Sequence, residues 1–128
     1  MTDAPAQISV LICDDVAALR RLLTVVVESR TGLRVVGEAA NGKQAIDQAK
    51  LLQPDVVLLD LSMPGVTGFD ALPDIKLAAP AAKVIVLSGF SAAIVEADVL
   101  AHGADRYIEK GAAPDLIADA IEQAGAAA

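Results

Sequence analysis

An open α/β architecture, a parallel sheet covered by helices on both faces, is the fold class this sequence predicts. Two observations carry it. Five short apolar runs alternate with five segments whose apolar residues recur at helical spacing. The runs are apolar along most of their length, as strands buried on both faces are, instead of alternating with polar residues. Right-handed crossovers then leave few topologies for such a chain. The sequence shows no internal repeat and no second domain.

Each element follows from period and punctuation. Ile8 to Cys13 reads as the first strand. Asp15 is placed to cap a helix whose Val16, Leu19, Leu23 and Val26 share one face. Gly32 suits the end of that helix, where a left-handed residue is least costly as glycine. Leu33 to Ala39 is the second strand, and Asn41-Gly42 opens a helix that turns Ala45, Ile46, Ala49 and Leu52 inward. Pro54 to Asp60 is the third strand. The third helix spans Gly68 to Ala79, but Pro73 disfavours a helical Leu72, so a late start or a kink is expected. Ala82 to Ser88 is the fourth strand, and Ser91 is placed to cap a helix ending near His102-Gly103. Ala104 to Lys110 is the fifth strand. Pro114 then fits the first turn of a last helix that buries Ile117, Ala120, Ile121 and Ala124.

Composition bounds the function. In 128 residues, 55% are hydrophobic and 2% aromatic, so the core is built from Val, Leu, Ile and Ala. Charges break every apolar stretch short of the ~18 residues that span a bilayer. The start, MTDAPAQ, has neither the basic nor the apolar region of a secretion signal. A cytoplasmic protein without membrane contact is the expectation. The single cysteine, Cys13, forms no internal disulfide and reads as a small buried apolar residue. A net charge of −7 argues against direct contact with nucleic acid. His102, the only histidine, makes no metal site by itself and reads as a helix-end residue. Arg20-Arg21 read as a solvated helix face, with Arg20 available for docking a kinase.

Chemistry in an open parallel sheet gathers outside the carboxyl ends of the strands, where strand order reverses. Asp14 and Asp15 follow the first strand, Asp60 ends the third, Ser88 and Gly89 end the fourth, and the fifth runs into Lys110. Clustered carboxylates repel, and each raises its neighbours' pKa unless a cation compensates. Lys110 offsets one charge, and the remainder favours a hard divalent ion such as Mg²⁺. A carboxylate beside such an ion can act as a nucleophile toward phosphorus, giving an aspartyl phosphate. An ammonium and a metal together neutralise the oxygens of the phosphoryl group in transfer.

From Ile8 to Ala124 the sequence resembles a response-regulator receiver domain of two-component signalling, of the CheY-like kind. The resemblance rests on Asp14-Asp15, on Asp60 followed by Met63-Pro64-Gly65 and Gly68, on Ser88-Gly89, and on Tyr107 and Lys110. Each is weak alone; together, in order and at strand ends, they are specific. The resemblance implies a flavodoxin-like (βα)5 fold of strand order 2-1-3-4-5, an order taken from the family and not from these residues. It divides the chain into a disordered segment over 1–7, a receiver over 8–124, and a frayed end or linker start over 125–128.

By the same resemblance Asp60 accepts a phosphoryl group from a histidine kinase or phosphotransfer protein. Asp15, Asp60 and the backbone carbonyl of Ser62 ligate Mg²⁺, Asp14 acts largely through a bound water, and Lys110 pairs with Asp60 or its phosphate. Ser88 then turns toward the phosphoryl oxygens and Tyr107 moves inward. The surface of the fourth helix, fifth strand and fifth helix changes for an effector domain or downstream protein, or for a second copy as a homodimer. Ser62 and Phe90 stand where they would modulate hydrolysis, Phe90 by shielding the acyl phosphate from water. The chain departs from many family members in carrying Gly111, not proline, after the lysine; Lys-Gly-Ala-Ala-Pro looks like the receivers of some DNA-binding regulators.

Two other classes compete. A phosphatase of the haloacid dehalogenase type shares the aspartate nucleophile and Mg²⁺ but needs a second aspartate two positions on, as general acid, where this chain has Ser62. A degenerate receiver that only binds proteins would have lost an acid or the lysine, and neither is lost.

Overall fold

A computed structural model describes residues 7–126. The expected disorder over 1–7 therefore falls outside the described residues except at Gln7, as do residues 127 and 128 of the expected frayed end. The elements alternate throughout: β1 (Ile8–Cys13), α1 (Ala17–Glu28), β2 (Leu33–Ala39), α2 (Gly42–Leu52), β3 (Val56–Leu59), α3 (Gly68–Ala78), β4 (Lys83–Ser88), α4 (Ala92–Ala101), β5 (Arg106–Glu109) and α5 (Pro114–Ala126). All neighbouring strands are parallel, in the order β2-β1-β3-β4-β5. The β1–β2 ladder passes from Val10↔Val35 to Leu11↔Gly37, so Val36 is bulged out of register.

Period-two alternation splits the core between the two faces of the sheet. Leu11, Cys13, Val57, Leu59, Val84, Val86 and Tyr107 face Ala45, Ala49, Ala71, Leu72, Ile75 and Val99 of α2, α3 and α4. Val10, Ile12, Val56, Leu58, Ile85, Leu87 and Ile108 face Leu23, Val26 and Val27 of α1 and Ile117, Ala120 and Ile121 of α5. Arg30, just beyond α1, ties the two helices of that face by pairing with Asp115, Asp119 and Glu122 of α5. Only Val99 of α4 is fully buried, while its Ile94 is 74% exposed. No helix among the described residues is long and apolar enough to cross a membrane.

Several local expectations are corrected. Asp15 does not cap α1; Val16 occupies the cap position, is 45% exposed, and gives its N–H to Asp14 Oδ1 at 2.9 Å. Gly32 does not end α1, which closes at Ser29 in right-handed geometry. The left-handed cap belongs instead to Gln53, at φ 46°, after α2. Helix α3 does not start late: Thr67 caps it by accepting from the Asp70 N–H at 3.1 Å, and Pro73 sits exposed inside it. Ser91 holds the cap position of α4 without a side-chain bond, and Glu109 Oε1 accepts from Ala92 N at 2.5 Å in its place.

Candidate functional site

Strand order reverses between β1 and β3, so their carboxyl ends lie side by side at one rim. Asp14 and Asp15 leave β1 there and Asp60 leaves β3, with Asp60 N donating to the Cys13 carbonyl at 2.9 Å. The three side chains each offer a carboxylate oxygen, all within 4.8 Å of one another. Asp14 and Asp60 are buried, at 1% and 4% exposure, while Asp15 faces solvent. Lys110, delivered by β5, reaches both buried acids: its Nζ lies 2.9 Å from Asp14 Oδ2 and 3.3 Å from Asp60 Oδ2. The lysine thus sits closer to Asp14 than to Asp60.

Asp60 is held by more than the lysine. Its Oδ1 accepts from the Ser62 N–H at 3.2 Å. Burial pushes its carboxyl above the ordinary value; the Ser62 hydrogen bond and the Lys110 charge act against this, and Asp14 reinforces it. Lys110 is also raised: burial alone would lower it, but Asp14 and Asp60 outweigh burial. Gly68 explains its own place in the motif. A Cβ there would lie 1.8 Å from the Asp60 carbonyl oxygen, so only glycine lets α3 begin against the end of β3.

The remaining residues line the neighbouring strand ends. Ser88 is fully buried, and its Oγ has no hydrogen-bond partner among the described residues. Lys110 N donates to the Ser88 carbonyl at 2.7 Å, joining β4 to the lysine. Gly89 is exposed and Phe90 is half-exposed at 47%. Tyr107 already lies inward, 6% exposed, with its hydroxyl donating to the Phe90 carbonyl. Gly111 adopts φ +98°, a conformation that favours glycine, and no peptide bond among the described residues is cis. His102 ends α4, with Nδ1 2.6 Å from the Asp98 carbonyl and its ring against Phe69.

Sequence reasoning missed two residues. Arg20 is not simply a solvated face: it bonds the backbone carbonyl of Asp14 and the side chain of Glu38. Glu109 has no feature in the sequence that marks it, yet it holds the first N–H of α4. Neither residue has a sequence signal for its role. Glu38 and Ala92 are 18 and 17 residues from Arg20 and Glu109. The nearer partner of Arg20, six residues back, is a backbone carbonyl, which carries no side-chain pattern.

Comparison with known proteins then decides the family. The model of the response regulator receiver domain matches residues 10–122. The chain belongs to the response-regulator receiver family. It is 35% identical over 114 residues to the chemotaxis protein CheY of Thermotoga maritima, covering 89% of this chain and 94% of that one. It is 36% identical to the nitrate/nitrite response regulator NarL of Escherichia coli, covering 92% of this chain but 55% of NarL. This receiver therefore spans nearly the whole of one relative and about half of the other. Among solved structures, the response regulator domain of Thermotoga maritima CheB superposes with a TM-score of 0.87 at 30% identity, covering 94% of this chain and 97% of that one. A LuxR-family response regulator from Aurantimonas gives a TM-score of 0.89 at 27% identity, covering 95% and 87%. The receiver family is a phosphorylation-switch family of signalling domains, and it binds Mg²⁺ at an acidic pocket. Three aspartates with hard oxygen donors fit that ion.

Proposed function

We propose that this receiver accepts a phosphoryl group on Asp60 and passes the signal on through its α4–β5–α5 surface. One observation carries the reading: a carboxylate buried to 4% exposure stands within 3.3 Å of an ammonium and shares its rim with two further acids. Burying so much like charge is costly unless a dication completes the set.

The donor is a phosphohistidine of a sensor kinase or phosphotransfer protein. An Asp60 oxygen attacks phosphorus, the new O–P bond forms as the P–N bond breaks, and the electron pair stays on the imidazole nitrogen, which takes up a proton. Asp15, Asp60 and the Ser62 carbonyl would hold Mg²⁺, with Asp14 acting largely through a bound water, and the ion would supply positive charge for the phosphoryl oxygens. Lys110 supplies a second positive charge from the β5 side. The unpartnered Ser88 hydroxyl, beside the Gly89 backbone, is the free donor for a phosphoryl oxygen. Tyr107 carries the change to the Phe90 carbonyl and hence to the entry of α4. The domain assists its own phosphorylation and its own dephosphorylation, with Ser62 and Phe90 tuning water access.

The output is an effector domain or a separate protein, with a homodimer through α4, β5 and α5 as one form of it. Response regulators are generally cytoplasmic, which supports the same location here. The test is incubation with Mg²⁺ and a small-molecule acyl phosphate, followed by intact mass and peptide mapping. One phosphoryl adduct on Asp60 is expected, absent from Asp60→Asn and from metal-free samples, with a shorter half-life in Phe90→Ala. Continuous phosphate release without an adduct would instead identify a hydrolase, and an unmodified chain would identify a protein-binding scaffold.

A further inference from the structure

We propose that Arg20 is a positioning residue for the metal site, acting through the backbone of Asp14. The inference rests on the Mg²⁺ reading above. Arg20 lies in the first turns of α1 with its side chain 19% exposed, and it points back across the end of β1. Nη1 donates to the Asp14 carbonyl at 2.7 Å, and Nε donates to Glu38 Oε1, at the end of β2, at 2.9 Å.

The consequence lies in what this does to Asp14. Its N–H donates to the Ala39 carbonyl at 3.0 Å, its Oδ1 accepts from Val16 N at 2.9 Å, and its Oδ2 accepts from Lys110 at 2.9 Å. With Arg20 on the carbonyl, every polar group of this residue has a partner. The four partners come from α1, β2, the β1–α1 loop and the β5 end: two hold the carboxylate and two hold the backbone that carries it. Removing Arg20 frees the peptide that joins Asp14 to Asp15, and both acids border the metal pocket.

Charge and shape explain why this position is an arginine paired with an acid. Glu38 neutralises the guanidinium, so the clamp adds geometry without adding positive charge that would compete with a metal. Three carboxylates facing one ammonium then keep a double negative charge, matched to a dication. A guanidinium offers donors at separate nitrogens in a rigid fork, whereas a lysine ammonium is a point donor that serves one acceptor well. Residues that orient a metal ligand typically change metal affinity by about 10–100-fold when removed.

The test is a Mg²⁺ titration of the full chain, read from the ¹³C signals of the Asp14, Asp15 and Asp60 carboxyls, for wild type, Arg20→Met, Arg20→Lys and Glu38→Gln. Thermal unfolding in EDTA confirms that each variant is folded at the titration temperature. Arg20→Met is expected to weaken Mg²⁺ binding by about tenfold. Arg20→Lys restores part of the loss. Glu38→Gln keeps an acceptor for Nε but leaves the guanidinium uncompensated, so it weakens binding by a smaller factor that shrinks as salt is raised. A wild-type response with Arg20→Met binding unchanged overturns the Arg20 assignment alone. No Mg²⁺ response at the wild-type carboxyls overturns both this assignment and the metal reading beneath it.

Discussion

Asp60 shows how a single residue can be kept at a cost to the fold. Burial raises its carboxyl, which means that the folded chain holds the proton more tightly than the unfolded chain does. Stability from this group is therefore fully present below the unfolded carboxylate range and falls as pH rises through the folded pKa. Asp60→Asn keeps an acceptor for the Ser62 N–H and removes the charge, leaving Lys110 paired with Asp14. In metal-free buffer the variant should be more stable than wild type at neutral pH, and the gain should vanish in acid below that range. Urea midpoints measured across pH check this; a gain that persists at low pH would show that something other than ionisation causes it. Gly68 and Arg20 act at the same scale, one by lacking a side chain beside the Asp60 carbonyl and the other by gripping the Asp14 carbonyl.

At the scale of elements, Pro73 is the residue at odds with its surroundings. It removes a helical hydrogen bond inside α3, yet the helix runs unbroken from Gly68 to Ala78. Thr67 caps its start, Asp70 and Lys76 suit its two ends, and Ala71, Leu72 and Ile75 anchor it to the sheet. Tertiary burial has overridden local preference. Pro73→Ala at this exposed position should stabilise the domain by about 2 kcal/mol, the helical gain less the added freedom of the unfolded chain. An unchanged denaturation midpoint would mean that α3 already relieves the strain. Strands are legible because their short runs are mostly apolar and each is bounded by turn residues. Caps are less so: nothing in the pair Asp14-Asp15 tells which carboxylate turns back to Val16. A glycine rule pointed to Gly32, while the left-handed turn fell on Gln53, whose side chain bonds the carbonyls of Lys50 and Ala78. The ion pair of Arg20 with Glu38 and the bond from Ala92 to Glu109 are not legible in the sequence, because those partners become neighbours only once the strands pair.

For the molecule as a whole, metal and fold should be linked. The aspartates form their cluster only when β1 and β3 pair, so Mg²⁺ held there would favour the native chain over the unfolded one. At a Mg²⁺ concentration of 100 times Kd, stability should rise by about 2.7 kcal/mol. Asp15→Asn should lose most of that increment while unfolding normally in EDTA, because Asp15 is exposed and takes no part in the core. Equal Mg²⁺ stabilisation of both proteins would place the ion elsewhere. The topology was readable in advance only through family likeness; alternation of strands and helices narrows the choices but does not select the order. Two adjoining ends of the sheet also differ in how firmly they are held. At β3, the helix that follows begins in direct contact with the acid's own backbone, with no gap to give. At β4, the helix that follows is anchored by one buried valine and grasped at its entrance by a tyrosine and a glutamate from the next strand. A stress introduced between them would meet a wall on one side and a latch on the other, and the latch is the side expected to yield.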